Sequence, residues 1–278
     1  MSEATIVQGK SAGLSRSPHR LLSWLPRASD WSRYGNVIVS HLLLLAAWQA
    51  LVVFGKLPAF VLPTPIATAA TLSAPNYHWI SNTLATAGEV YGGYILGVSA
   101  AVALALVFCW SRTIEKLLMP VLVSFNMIPK VALGPLVIVW FKYGIGPNIL
   151  IAFSICFFPV LLTTTRGLRE VDPDLLDLIH SLKGSKWQLF TKIQLPSALP
   201  YVFSGMKVGA ILAVAGAIVG EFLGSDQGLG YLMMQVQVSL DTPAMFMALL
   251  LITMVGMSLY GLVLLLERIL VARDARLS

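Results

Sequence analysis

Six apolar blocks, each near the length that crosses a hydrocarbon layer, constrain this chain more than any other feature. They occupy residues 37–54, 85–109, 117–141, 147–165, 200–222 and 244–266. A helix needs about 20 apolar residues to cross roughly 30 Å of hydrocarbon. Helices buried in a soluble protein would keep a polar face, and these blocks have none. Composition agrees, since 57% of 278 positions are apolar and only 12% charged. Soluble domains usually carry about twice that charged share. Inside hydrocarbon the backbone must satisfy its own hydrogen bonds, so each block is predicted to be helical. The fold class is therefore an all-α polytopic membrane protein with six transmembrane helices. His41 and Gln49 make the first span the least uniform. Pro129 and Pro135 predict a kinked or broken third span.

Lysine and arginine set the orientation. The tail 1–36 holds Lys10, Arg16, Arg20, Arg27 and Arg33, and the loop after span two holds Arg112 and Lys116. Arg166, Arg169, Lys183, Lys186 and Lys192 follow span four, and Arg268, Arg273 and Arg276 follow span six. The remaining loops hold only Lys56 and Lys142. Both termini are thus expected to be cytoplasmic, with a tail 1–36, a membrane domain 37–270 and a tail 271–278. The net charge of +6 is spread over alternate loops, which argues against a nucleic-acid surface. Cys109 and Cys156 fall in or beside apolar blocks and are expected to be packing residues. The first 36 residues lack an apolar run of signal-peptide length, so no cleavage is expected. Residues 17–31 mix Trp24, Leu25 and Trp31 with Arg20 and Arg27. They fit either an amphipathic helix on the membrane surface or a disordered basic tail.

The loop 166–199 is too polar to span and too patterned to be a linker. Asp172 before Pro173 is a helix start, and Leu175, Leu178, Ile179 and Leu182 recur on one helical face. Gly184 is expected to break that helix. Ser185 with Gln188 forms a capping box for a second helix bearing Trp187, Phe190 and Ile193, and Pro196 is expected to end it. Such a pair either packs on the protein's own spans or docks a partner at its turn.

The stretch from Asp177 through Gly184 to Ile193, Leu195 and Pro196 resembles the cytoplasmic "EAA" loop of binding-protein-dependent ATP-binding-cassette (ABC) importers. That pattern has Glu-Ala-Ala, three residues, Gly, nine residues, then Ile-x-Leu-Pro. Counted back from Ile193, its Gly falls on Lys183 and its Glu on Asp177, while Leu178 and Ile179 replace the alanines. Phe125-Asn126-Met127-Ile128-Pro129, then Ala132-Leu133-Gly134-Pro135-Leu136 and Trp140-Phe141, are similar to the third span of nitrate, sulfonate, taurine and bicarbonate permeases. Gly167-Leu168-Arg169-Glu170-Val171-Asp172-Pro173, Gly220-Glu221-Phe222-Leu223-Gly224, Gly228-Leu229-Gly230-Tyr231 and residues 57–65 extend the resemblance.

The resemblance implies the type I (MetI-like) importer fold, with a cytoplasmic coupling helix, in a permease subunit that forms a homodimer in a bacterial inner membrane. It implies an ABC ATPase subunit touching Asp177, Ser181, Leu182, Lys183, Gly184, Ser185, Lys186 and Trp187. It also implies a periplasmic or lipid-anchored solute-binding protein on the outer loops, including 55–70 and 224–243. The chain contains no Gly-x-x-x-x-Gly-Lys-[Ser/Thr] phosphate loop. ATP and Mg are therefore expected on the partner, with no cofactor here and membrane lipid as the surroundings.

Charges inside spans are expensive and point to function. Glu89, Lys130, Lys207 and Glu221 are such positions. Lys130, beside the expected break, is the first pathway candidate for a small anionic solute, with pairing to a glutamate or a backbone carbonyl as the alternative. Asn126 and Glu221 complete the pathway set, Glu221 being placed as a structural or gate residue. Lys207 is expected to snorkel. Gly205, Gly209, Ala213 and Ala217 form a small-residue stripe with Gly216 and Gly220 alongside. The family resemblance favours a dimer seam there over packing within the subunit. The rival reading is an ion-gradient-driven secondary transporter, which predicts internal repeats that are not evident.

Overall fold

A computed structural model of the chain describes residues 28–142 and 144–271. Most of the segment 17–31 and nearly all of the tail 271–278 lie outside the described residues. The chain divides into two compact units, residues 1–51 and 52–278. Helix α1 (Ala28–Phe54) carries the first expected span and supplies the described part of the first unit. Its side chains are exposed throughout residues 35–47. Ser40 Oγ and His41 Nδ1 donate to the Val37 carbonyl at 2.8 and 2.7 Å, so these two polar side chains are met by their own helix.

The second unit continues with α2 (Pro65–Ala70), α3 (Trp79–Trp110), α4 (Arg112–Met127), α5 (Gly134–Phe141) and α6 (Ile145–Arg169). After these come α7 (Pro173–Ser181), α8 (Lys186–Leu189), α9 (Leu195–Gly224), α10 (Leu229–Val238) and α11 (Thr242–Leu270). All regular structure among the described residues is helical. Five helices there are long and apolar enough to cross a membrane. The expected third span is not among them, because it is divided. α4 stops at Met127, Ile128 and Pro129 are extended, Lys130–Leu133 makes a 3-10 turn, and α5 follows. Pro129 lacks an N–H and pushes Ile128 out of the helical region. Pro135 lies in the first turn of α5, where a missing N–H leaves nothing unsatisfied. Of the six expected spans, five are thus single long helices and the third is broken, as Pro129 predicts.

α6 occupies the centre, between α3 and α9. Ala152, fully buried, is approached closely by both neighbours. A Cβ on Gly93 of α3 would lie 2.5 Å from Ala152 Cβ, and one on Gly216 of α9 would lie 2.7 Å from Ala152 Cα. Farther along α9, a Cβ on Gly209 would meet Val160 Cγ2 at 2.9 Å, and one on Gly220 would meet Asn148 Oδ1 at 2.7 Å. The small-residue stripe therefore seats α9 on α6 of the same subunit, which corrects the expected dimer seam. Periodicity identifies the face on which helices can approach, and the neighbour is set by the fold.

Lys207 is corrected as well. Its Nζ donates to Glu267 Oε1 of α11 at 3.0 Å instead of extending to the surface. Glu267 lies one residue beyond the last apolar block, so the sequence left Lys207 without a partner. Cys156 is fully buried against Gly93 and Gly97, as a packing residue should be.

Candidate functional site

Three constructions on this frame have functional geometry. The first is the turn between α7 and α8. α7 starts where expected, with Asp172 Oδ1 accepting the Asp174 N–H at 3.0 Å. It ends earlier than Gly184. Lys183 takes the left-handed conformation (φ 52°), and the Gly184 N–H donates to the Ile179 carbonyl at 2.9 Å. This is a Schellman ending, with Lys183 at the position glycine normally fills. The family pattern also places its glycine at Lys183, so the turn geometry survives a substitution worth about 1 kcal/mol of backbone strain. Gly184 is also held small, since a Cβ there would lie 2.8 Å from Ile179 Cγ2.

The capping box forms as expected. Gln188 N–H donates to Ser185 Oγ at 3.2 Å, and Ser185 N–H donates to Gln188 Oε1 at 2.8 Å. Pro196, however, does not end the second helix. The chain passes from α8 through a π turn, Phe190–Gln194, directly into α9. The wider turn and the first-turn position of Pro196 accommodate its missing N–H. The turn is thus rigidly continuous with a membrane helix. Leu182 and Trp187 are exposed on it, at 70% and 61%. Trp187 and Phe190 form a ring cluster with Trp110, the last residue of α3, with centroids 5.6 to 6.1 Å apart. Trp110 was not foreseen; its only signal was an aromatic residue closing an apolar block.

The second construction is a cavity of about 370 Å³ between the interrupted crossing and α6. Asn126 and Lys130 come from the break, and Phe153, Ser154, Phe157 and Phe158 from α6. Lys130 Nζ donates to the Asn126 carbonyl at 2.7 Å and to the Phe125 carbonyl at 3.3 Å. These carbonyls belong to the last turn of α4, where the break cuts the helical ladder short; the Phe125 carbonyl also accepts the Ile128 N–H at 3.3 Å. The ammonium is thus parked on a helix end, where an incoming acceptor would compete for it.

The third construction holds Glu221, away from that cavity. Its Oε1 accepts the Thr86 hydroxyl of α3 at 2.6 Å. Its Oε2 accepts the N–H groups of Gly230 and Tyr231, the latter at 3.2 Å. Thr86 Oγ1 accepts the Leu229 N–H at 2.8 Å, and Asn82 Oδ1 accepts the Gly228 N–H at 2.9 Å. The open N–H groups that begin α10 are therefore capped by α9 and α3. Gly228, at φ 111°, lies so close to the Glu221 carboxylate that a side chain would not fit. Beside it, Asn148 Nδ2 donates to Glu89 Oε1 at 2.8 Å, and both residues are buried. Asn82, Thr86 and Asn148 were missed. The spacing of 82, 86 and 89 on one face of α3 was the available signal.

The stretches 55–70 and 224–243 meet at this same end. Thr242 Oγ1 donates to the Phe60 carbonyl at 2.8 Å, and Tyr77 O–H donates to Asp241 Oδ2 at 2.5 Å.

The family of binding-protein-dependent transport system inner membrane components matches residues 93–272. The riboflavin transport system permease protein of Chloroflexus aurantiacus is 36% identical over 88% of this chain and 92% of its own. The putative aliphatic sulfonates transport permease protein of Bacillus subtilis is 30% identical over 85% and 87%. The formylaminopyrimidine transport permease protein of Halalkalibacterium halodurans is 29% identical over 82% and 92%.

Proposed function

Because the chain belongs to the family of binding-protein-dependent transport system inner membrane components, we propose that it is the pathway-forming permease of an ATP-driven importer whose ATPase is a separate subunit. The observation that carries this reading is the turn at 182–187. It is fixed by a Schellman ending and a capping box, presents exposed Leu182 and Trp187, and continues without a break into α9. A rigid apolar knob of this kind suits a partner's groove. ATP and Mg belong to that partner, and its contacts at 177–187 differ between nucleotide states, which is what biases the permease between two arrangements. The basic loops support a cytoplasmic side for both termini. A solute-binding protein docks on the joined stretches 55–70 and 224–243, and two copies of the chain form the homodimer.

The solute is small and carries an anionic or strongly accepting group. Lys130 supports this, as the cation in a cavity otherwise rich in phenylalanine. Asn126 and Lys130 contact the passing solute, while Glu221 holds the outer corner of the pathway. The relatives named above carry the words riboflavin, formylaminopyrimidine and aliphatic sulfonates, and these are the first solutes to assay.

The test is uptake and ATPase activity in proteoliposomes holding the complete complex. Changing the turn at 183–186 is expected to cut ATP-driven uptake at least tenfold while the protein still inserts and ATP is still hydrolysed. Normal coupled uptake would overturn the reading. Uptake driven by an imposed ion gradient without ATP would favour the secondary-transporter alternative. In the same assay Lys130→Gln is expected to lower uptake roughly tenfold to a hundredfold, the scale of one charge-assisted hydrogen bond, with ATPase activity retained. Unchanged uptake would remove Lys130 from the pathway.

A further inference from the structure

The start of α4 and the end of α6 enclose a groove of about 710 Å³ that the transport reading does not use. Arg112, Glu115 and Lys116 form its rim on α4, with Arg169 of α6 opposite. Met119 and Val123 continue the same face of α4 as an apolar floor. The distance from Arg112 to Val123 along the helix is about 16 Å, so charge and apolar surface are separated along the axis.

Glu115 is engaged by Arg169 as an ion pair. Among the described residues no carboxylate pairs with Arg112 or Lys116. Three cations against one carboxylate leave the rim with two positive charges. The rim also lies where a span ends, next to the exposed Trp110. Aromatic side chains favour that depth of a bilayer. Leu117 and Val121 are exposed along the neighbouring face of α4, so the groove opens towards acyl chains.

We propose that this groove binds the headgroup of an anionic phospholipid, with Arg112 and Lys116 on the phosphate and one acyl chain along Met119 and Val123. A soluble phosphate would satisfy the rim and leave the floor bare, whereas a zwitterionic lipid would cover the floor and bring no net charge to the rim. The groove adjoins Arg169, the last residue of α6, so the lipid sits where that helix leads into the loop 166–199.

Native mass spectrometry of the full-length protein, released from vesicles of equal phosphatidylglycerol and phosphatidylcholine, tests this. The protein is expected to retain phosphatidylglycerol in preference. The double variant Arg112→Gln, Lys116→Gln is expected to reduce that preference about thirtyfold, at about one factor of five per cation. Arg112→Lys with Lys116→Arg, which keeps both charges, is expected to retain it, as is Lys56→Gln with Lys142→Gln, which removes two charges elsewhere. Equal retention by the double variant and the parent overturns the proposal. Displacement of the lipid by millimolar inorganic phosphate identifies a soluble-anion site and also overturns it.

Discussion

Replacing Gly216 by leucine is expected to leave no correctly assembled protein in the membrane. Even the first atom of a side chain would lie 2.7 Å from Ala152 Cα and 3.2 Å from Ala152 N. The obstacle is backbone, so no rotamer change can relieve it. Nor has α6 room to retreat, because Gly93 of α3 also lies close to Ala152, where an added Cβ would be 2.5 Å from Ala152 Cβ. Inserting atoms into a packed interior usually costs about 1–3 kcal/mol when side chains can adjust. Here two helices must separate along a fully buried seam, in a protein whose whole stability is of order 5–15 kcal/mol. The measurement is the yield of monodisperse protein after membrane extraction. Gly88→Ala is the matched control, since nothing lies within 4 Å of its added Cβ. It is expected to extract normally, with a gain of up to about 1 kcal/mol in helix propensity. Normal yield for Gly216→Leu would mean that the packing of α9 on α6 is wrong.

Glu221→Ala is expected to have the second-largest effect, by a different route. It leaves the Thr86 hydroxyl and the N–H groups of Gly230 and Tyr231 without their acceptor in a site only 2% exposed at Glu221. Each orphaned buried donor costs about 1–3 kcal/mol, which is enough to unseat the first turn of α10. Hydrogen exchange at 229–232 is expected to quicken at least a hundredfold, and uptake to fall to background. Glu221→Gln keeps the bulk and one accepting oxygen, and should lose less. Exchange in Glu221→Ala equal to that of the parent would show that the cap does not hold α10.

The sequence made some of this legible and hid the rest for identifiable reasons. Apolar length determines the spans because it is a one-dimensional property, and Pro129 reveals the break because its effect is local. Ser185 and Gln188 reveal their capping box for the same reason. Lys183 misleads, since propensity assigns the left-handed residue to Gly184, whereas the bond from Gly184 to Ile179 assigns it to Lys183. Pro196 misleads because a π turn absorbs it. The polar cluster was invisible as a unit. Its bonds between helices α3, α6, α9 and α10 that involve Asn82, Thr86 or Asn148 join residues 59 to 146 positions apart, and each of those three alone looks like an isolated polar residue in an apolar run. For the same reason the stripe on α9 disclosed its face but not its neighbour.

α3 has one more implication. It runs through residues 79–110 without a proline, from the network around Asn82 to the ring cluster at Trp110. Those two attachment points lie about 42 Å apart along a straight helix. A rod of that length gripped at both tips has few soft modes, so it tilts as a whole far more readily than it flexes. A tilt of about five degrees, pivoting on one tip, displaces the other by about 4 Å. The aromatic grip on one side of the bilayer and the capped corner on the other are therefore mechanically in series. Neither can be repositioned by more than a side chain's width without the other registering it.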